Sequence, residues 1–223
     1  MPAVIIIFIL LGILLQGLFI KTEHEEKYIP AVILKGSASL MFVLIGYYAC
    51  HHAPSVFSKQ IFLGLCCGML GDILLNLRFV FKEAGQKIFL LGILVFLIGH
   101  ILYLIALFSK ASHTFAYVVL GAILAGLLLR YIFTTMDIKP AFKIFGVVYL
   151  GAVIIMSCIA VGIALSAPAK ATLTFAIGAV LFTASDIVLI FNTFSGVTRF
   201  SLRITNLSLY YIGQVLIACS LLL

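Results

Sequence analysis

The chain has 223 residues, 65% of them hydrophobic and only 9% charged, with a formal net charge of +7. A soluble globular domain carries about 25% charged residues, so this composition excludes one, and apolar runs of about 20 residues exclude the alternating strands of a membrane β-barrel. The positive charge is no nucleic-acid signature, because Lys and Arg flank apolar runs instead of forming a stripe.

The runs predict helices over about 2–20, 29–49, 57–78, 87–108, 115–134, 141–165, 170–192 and 204–223, each near the length that crosses a bilayer. The expectation is an all-α membrane protein of eight transmembrane helices in one domain, 1–223, joined by very short loops. The first run follows no Lys or Arg, so it reads as a retained helix and not as a cleaved signal. The cysteines Cys50, Cys66, Cys67, Cys158 and Cys219 form no CxxC, which argues against a disulfide framework or a zinc site. His51-His52 after Cys50 sits at an outer loop and is not read as a metal site, and no cofactor is expected. Glu23-His24-Glu25-Glu26 reads as a solvated turn.

Cations at the helix ends set the orientation. One side collects Lys21, Lys27, Arg78, Lys82, Lys87, Arg130, Lys139, Lys143, Arg199 and Arg203, and the other only Lys59, Lys110 and Lys170; Lys35 lies inside the second span. Cytoplasmic loops carry the excess of Lys and Arg, so both termini are expected on the non-cytoplasmic side of a multi-pass plasma or inner membrane protein.

Only seven residues are acidic, and two of them, Asp72 and Asp186, interrupt apolar runs in similar contexts, Gly71-Asp72-Ile73-Leu74 and Ser185-Asp186-Ile187-Val188. An acid within a membrane-spanning helix costs roughly 2.5–3.5 kcal/mol on insertion scales, so it implies a use. The two aspartates are 114 residues apart, the same offset relates Ile98-Gly99-His100-Ile101-Leu102 to Ile212-Gly213-Gln214-Val215-Leu216, and it carries Lys35 to Tyr149. Two parallel four-helix repeats, about 1–110 and 111–223, would place Asp72 and Asp186 across a central cleft. Lys35, Asp72, Asp186, Tyr210 and Tyr211 would share a layer about 9–10 Å below the cytoplasmic helix ends. His100 and Gln214 lie deeper.

Two carboxylates in a low-dielectric cleft do not both ionise cheaply, and one acid beside one base is what hydrolysis by proton transfer needs. Lys35 can balance the ionised partner or hold a lipid phosphate. Asn76 shares a helix face with Asp72 at i+4. Tyr210, Tyr211, His100 and Gln214 can orient a substrate or a water. The same residue types serve a buried ion pair that locks helices, or a proton-coupled or lipid transporter. Ser185 reads as a packing residue.

Gly-Asp-Ile-Leu-Leu from Gly71, Phe-Leu-Ile-Gly-His-Ile-Leu-Tyr from Phe96 to Tyr103, Ser-Asp-Ile-Val-Leu from Ser185, and Tyr-Tyr-Ile-Gly-Gln-Val-Leu-Ile-Ala from Tyr210 together resemble the YhhN-like family of lysoplasmalogenases. The likeness covers nearly the whole chain. Lys35 matches a lysine of the family's second span, although the family often follows it with proline and this chain has Gly36. The resemblance implies hydrolysis of the vinyl ether bond of lysoplasmalogen, a lysophospholipid, to a fatty aldehyde and glycerophosphoethanolamine or glycerophosphocholine. Asp72 and Asp186 would be catalytic, and Lys35, Asn76, Arg78, His100, Tyr103, Tyr210, Tyr211 and Gln214 would bind substrate, with the headgroup at a cytoplasmic opening near Lys35 and Arg78. A hydrolase acting on another lipid ether, ester or amide has the same motifs.

Overall fold

A computed structural model describes residues 2–111, 114–138 and 140–223. It contains eight α-helices: α1 Ala3–His24, α2 Tyr28–His52, α3 Val56–Val80, α4 Gly85–Phe108, α5 Thr114–Thr135, α6 Pro140–Ser166, α7 Lys170–Phe194 and α8 Phe200–Ser220. A single 3-10 turn, Lys82–Ala84, links α3 to α4. Lys139, one of the cations counted at the helix ends, lies outside the described residues.

Seven of these helices are long and apolar enough to cross a membrane. The eighth, α8, falls short because it carries Arg203, Asn206, Tyr210, Tyr211 and Gln214, of which the last four are buried. Polar groups point inward elsewhere too: Lys35, Ser39, Asp72, Asn76, His100, Ser157, Ser185 and Asp186 are buried. The outward faces are apolar, with Ile7, Leu10 and Leu14 of α1 and Ile29 and Ile33 of α2 all more than half exposed. A soluble monomer does not present contiguous apolar surface on that scale, whereas a bilayer requires it. The chain is an integral membrane protein.

Neighbours along the chain pack as pairs: α1 on α2, α2 on α3 and α3 on α4, then α5 on α6, α6 on α7 and α7 on α8. Contacts of α4 with α6 and of α8 with α2 close the bundle, leaving α1 and α5 on the outside. The α3–α4 crossing has Gly99 against Gly64, where a Cβ on Gly99 would come within 3.1 Å of the Gly64 carbonyl oxygen. The α7–α8 crossing has Gly213 against Gly178, where a Cβ on either would come within 2.8 Å of the other's carbonyl oxygen. Small residues let backbones approach where lipid supplies no hydrophobic drive to associate.

Helix ends follow local chemistry. Ser55 and Ser58 form a capping box at the start of α3, each side chain accepting the other's backbone N–H at 2.9 Å. At the start of α7, Thr172 Oγ1 accepts the Ala169 N–H at 3.0 Å and donates to the Ala167 carbonyl at 2.9 Å. The α1–α2 turn is not simply solvated, as its sequence suggested. Both oxygens of Glu23 accept from Arg203 of α8, at 2.6 and 2.9 Å, and His24 stacks on Phe200 with ring centroids 3.9 Å apart. The sequence hid this because the partners are 180 residues apart.

Candidate functional site

The two intramembrane carboxylates face one cavity, enclosed by α2, α3, α4, α6, α7 and α8, with about 120 Å³ open to the centres of water molecules. Most of its wall is apolar, including Leu75, Phe89, Phe96, Phe142, Phe182 and Leu207. Its polar side chains are few and directed, which is the usual composition of a small-molecule site.

Asp72 is held from two helices, α2 and α8. Its Oδ2 accepts a hydrogen bond from Tyr210 of α8 at 2.8 Å, a short one from Ser39 of α2, and lies 3.5 Å from the Lys35 ammonium of α2. Lys35 and Ser39 are four residues apart, so one helix face delivers both. The ammonium also sits 4.5 Å from the centroid of the Tyr210 ring and donates to Gln16 Oε1 of α1 at 3.4 Å. Only 1% of Lys35 is exposed, so its charge is balanced inside the protein. Asn76 lines the cavity and donates to the Asp72 backbone carbonyl at 2.8 Å.

Asp186 has simpler company. Tyr149 of α6 donates to its Oδ2 at 2.7 Å. Just before it, Ser185 is fastened to α8, because Asn206 Nδ2 donates to both the Ser185 carbonyl and its hydroxyl at 2.9 Å. The serine packs, as its position suggested, and it also fixes the backbone that carries Asp186.

Lys35, Asp72, Asn76, Arg78, Asp186 and Tyr210 therefore line one cavity. Tyr103, His100, Tyr211 and Gln214 do not. Tyr103 and Gln214 stand behind Asp72: the Tyr103 hydroxyl donates to Gln214 Oε1 at 3.2 Å, Gln214 Nε2 donates to the Tyr210 hydroxyl at 3.4 Å, and Tyr210 donates onward to Asp72. Gly64 and Gly68 of α3 make this possible, since a Cβ on either would overlap Tyr103 or Gln214. His100 turns Nδ1 to the Phe96 carbonyl at 2.8 Å and packs its ring against Phe182 and Tyr149. Tyr211 points away, with its hydroxyl against Gly12 of α1 and without a partner among the described residues. Sharing a layer with Tyr210 did not put it in the cavity, because consecutive residues on a helix diverge by about 100°.

Tyr149, Ser39, Asn206 and Arg203 also line or hold the site. Tyr149 had a signal in the sequence: the 114-residue offset links it to Lys35, and each of the two contacts the aspartate of its own half. Ser39 and Asn206 had none. A serine or asparagine in a span is ordinary until a partner on another helix is known.

A model of the YhhN family matches residues 31–221. The chain belongs to the YhhN family. That match runs from α2, which carries Lys35 and Ser39, through to the end of α8. Comparisons with curated proteins and with solved structures return no match. Among the described residues, no three His, Cys, Asp or Glu side chains gather in the way that a metal ion needs. The site of this YhhN protein presents two carboxylates, one with an ammonium beside it and one with a neutral hydroxyl, in an apolar chamber. Such a chamber can deliver a proton to a bound molecule and receive one from water without long-range rearrangement.

Proposed function

We propose that this protein hydrolyses the vinyl ether bond of a lysoplasmalogen-type lysophospholipid within the membrane. The observation that carries the reading is that both intramembrane carboxylates line one apolar cavity, each held by its own hydrogen-bond donors. Membership of the YhhN family is consistent with a hydrolase role.

The chemistry asks for proton transfers in two stages, hydration of the vinyl ether and collapse of the hemiacetal. A carboxylic acid protonates the β-carbon of the vinyl ether, and the carbon next to oxygen becomes an oxocarbenium centre. An anionic carboxylate beside it stabilises that charge and takes a proton from the water that adds there. The hemiacetal then collapses: its hydroxyl proton returns to Asp186, left anionic by the first step, and Asp72 hands the proton it took to the departing glycerol oxygen. The products are fatty aldehyde and the glycerol hydroxyl, with one water consumed, both carboxyl groups restored and no electrons transferred. In this scheme Asp72, faced by the Lys35 ammonium and two hydroxyl donors, is the anion. Asp186, faced only by a neutral hydroxyl, delivers the proton. Tyr149 orients Asp186, and the Tyr103–Gln214–Tyr210 chain orients Asp72.

The same reading includes two parallel repeats of four spans, with both termini outside the cytoplasm and the cavity nearer the cytoplasmic face. Support for the repeat lies at one offset. Residues 114 apart make equivalent contacts at the Gly64–Gly99 and Gly178–Gly213 crossings, at the Lys35–Asp72 and Tyr149–Asp186 pairs, and at the Ser58 and Thr172 caps. α8 is then the eighth span, polar because it faces the site and not the lipid.

The test is aldehyde release from lysoplasmalogen by purified protein in detergent, with Asp72→Asn and Asp186→Asn alongside. Release by wild type and loss of at least ~100-fold in each folded variant is expected. Folded wild type that releases no aldehyde, but carries a lipid or protons across sealed vesicles, would favour the transporter instead.

A further inference from the structure

Of the charged groups on the cavity wall, Lys35 is committed to Asp72 and Arg203 to Glu23. Arg78 is not committed. No carboxylate lies within ion-pair distance of it among the described residues, and its Nε is buried without a hydrogen-bond partner. Its guanidinium sits 4.6 Å from the ring centroid of Phe79 and 4.4 Å from that of Phe89. With the cation over these two rings and its buried Nε unpartnered, the N–H donors of Arg78 remain for a ligand. A planar fork of donors is suited to a phosphate, which accepts two parallel hydrogen bonds.

Its place in the molecule is also specific. Arg78 lines the inner cavity and a second, more open one formed by Tyr28, Phe79, Lys82, Gly85, Gln86, Phe142 and neighbours, so it stands at the passage between them. Gly85 lets the start of α4 close on this point, since a Cβ there would lie 2.9 Å from the Arg78 carbonyl oxygen. Arg78 follows Asp72 by six residues on α3, about 9 Å along the helix axis. In an extended 1-alkenyl glycerophospholipid, six bonds separate phosphorus from the carbon next to the vinyl ether oxygen, the centre that Asp72 faces in the proposed reaction. At the spacing of bonds in an extended chain that is about 8 Å, within reach of the Arg78 side chain.

We infer that Arg78 binds the phosphate of a single-chain phospholipid at the inner end of the headgroup passage, and that the protein thereby prefers phosphate-bearing lipids to phosphate-free alkenyl or acyl glycerols. The inference rests on the lipid-hydrolase reading for its substrate and on Arg78 for its selectivity. Lys35, the other cation in reach by sequence, is sequestered by Asp72 and does not share this role.

Equilibrium binding tests it without turnover. Acyl lysophosphatidylethanolamine, the monoacylglycerol of the same chain, and inorganic phosphate are titrated into wild type, Arg78→Gln and Arg78→Lys in one detergent. Wild type should bind the lysophospholipid about 10–100-fold more tightly than the monoacylglycerol, the range expected of charge-assisted hydrogen bonds. Arg78→Gln should bring the two lipids within about threefold, and Arg78→Lys should restore part of the preference. Unchanged discrimination in Arg78→Gln overturns the inference, as does wild type that binds both lipids equally. Inorganic phosphate binding as tightly as the lysophospholipid, and displacing it, would make this a free-phosphate site and overturn the lipid assignment. If Arg78→Gln fails to fold, the wild-type preference and the Arg78→Lys result still decide. A wild type that discriminates as expected but releases no aldehyde would overturn the vinyl ether reading and leave this one standing.

Discussion

Replacing Lys35 by Met removes the only buried ammonium among the described residues and leaves Asp72 in the same apolar surroundings. The ion pair spans 3.5 Å, so at an effective dielectric of about 20 its attraction is about 5 kcal/mol. Breaking one side of a buried pair typically costs about 3–5 kcal/mol, because the remaining charge stays desolvated. For a chain of this length each kcal/mol moves the midpoint by about 2–4 °C, so Lys35→Met should melt on the order of 10 °C below wild type. Asp72→Asn should lose a similar amount by stranding the ammonium. Removing both charges together removes the stranded charge as well, so Lys35→Met/Asp72→Asn should recover most of the loss. Thermal unfolding of the four proteins in one detergent closes the cycle. A single Lys35→Met variant melting within about 2 °C of wild type, or a double variant less stable than either single one, would refute the claim that the two charges balance each other.

Tyr149→Phe should keep the fold and lower kcat for aldehyde release about 10-fold or more with KM little changed, since it keeps the ring and removes only the hydroxyl that donates to the Asp186 carboxyl; steady-state kinetics read this directly. Gly213→Leu should abolish folded yield, because the Cβ would come within 2.8 Å of the Gly178 backbone oxygen, whereas Gly126→Ala, with nothing within 4 Å, should melt at or above the wild-type temperature; size-exclusion profiles and melting curves distinguish the pair. Glu26 holds a left-handed backbone, φ 58°, just past the end of α1, so Glu26→Gly should raise stability by about 1 kcal/mol, and a lower melting temperature would contradict the assignment of strain there.

Length and hydropathy made all eight helices legible in the sequence, with ends within a few residues of those observed, because a bilayer-length apolar run has few alternatives to a helix. They also made Asp72, Asp186 and Lys35 visible, since each is costly in such a run. The 114-residue offset links Lys35 to Tyr149, but that link alone assigns Tyr149 no partner; the contact with Asp186 does.

Tertiary structure alone decided which polar residues meet. Tyr210 and Tyr211 are adjacent in sequence, yet one donates to Asp72 and the other faces α1. Arg78 and Arg203 look alike at helix ends, yet Glu23 engages Arg203 and leaves Arg78 against two phenylalanine rings. Tyr103 and Gln214 meet across 111 residues because glycines on α3 open the space. Insertion cost acts on each helix by itself and is therefore written in the local sequence. Hydrogen-bond direction depends on how helices rotate against one another, and that rotation is set by packing across the whole bundle.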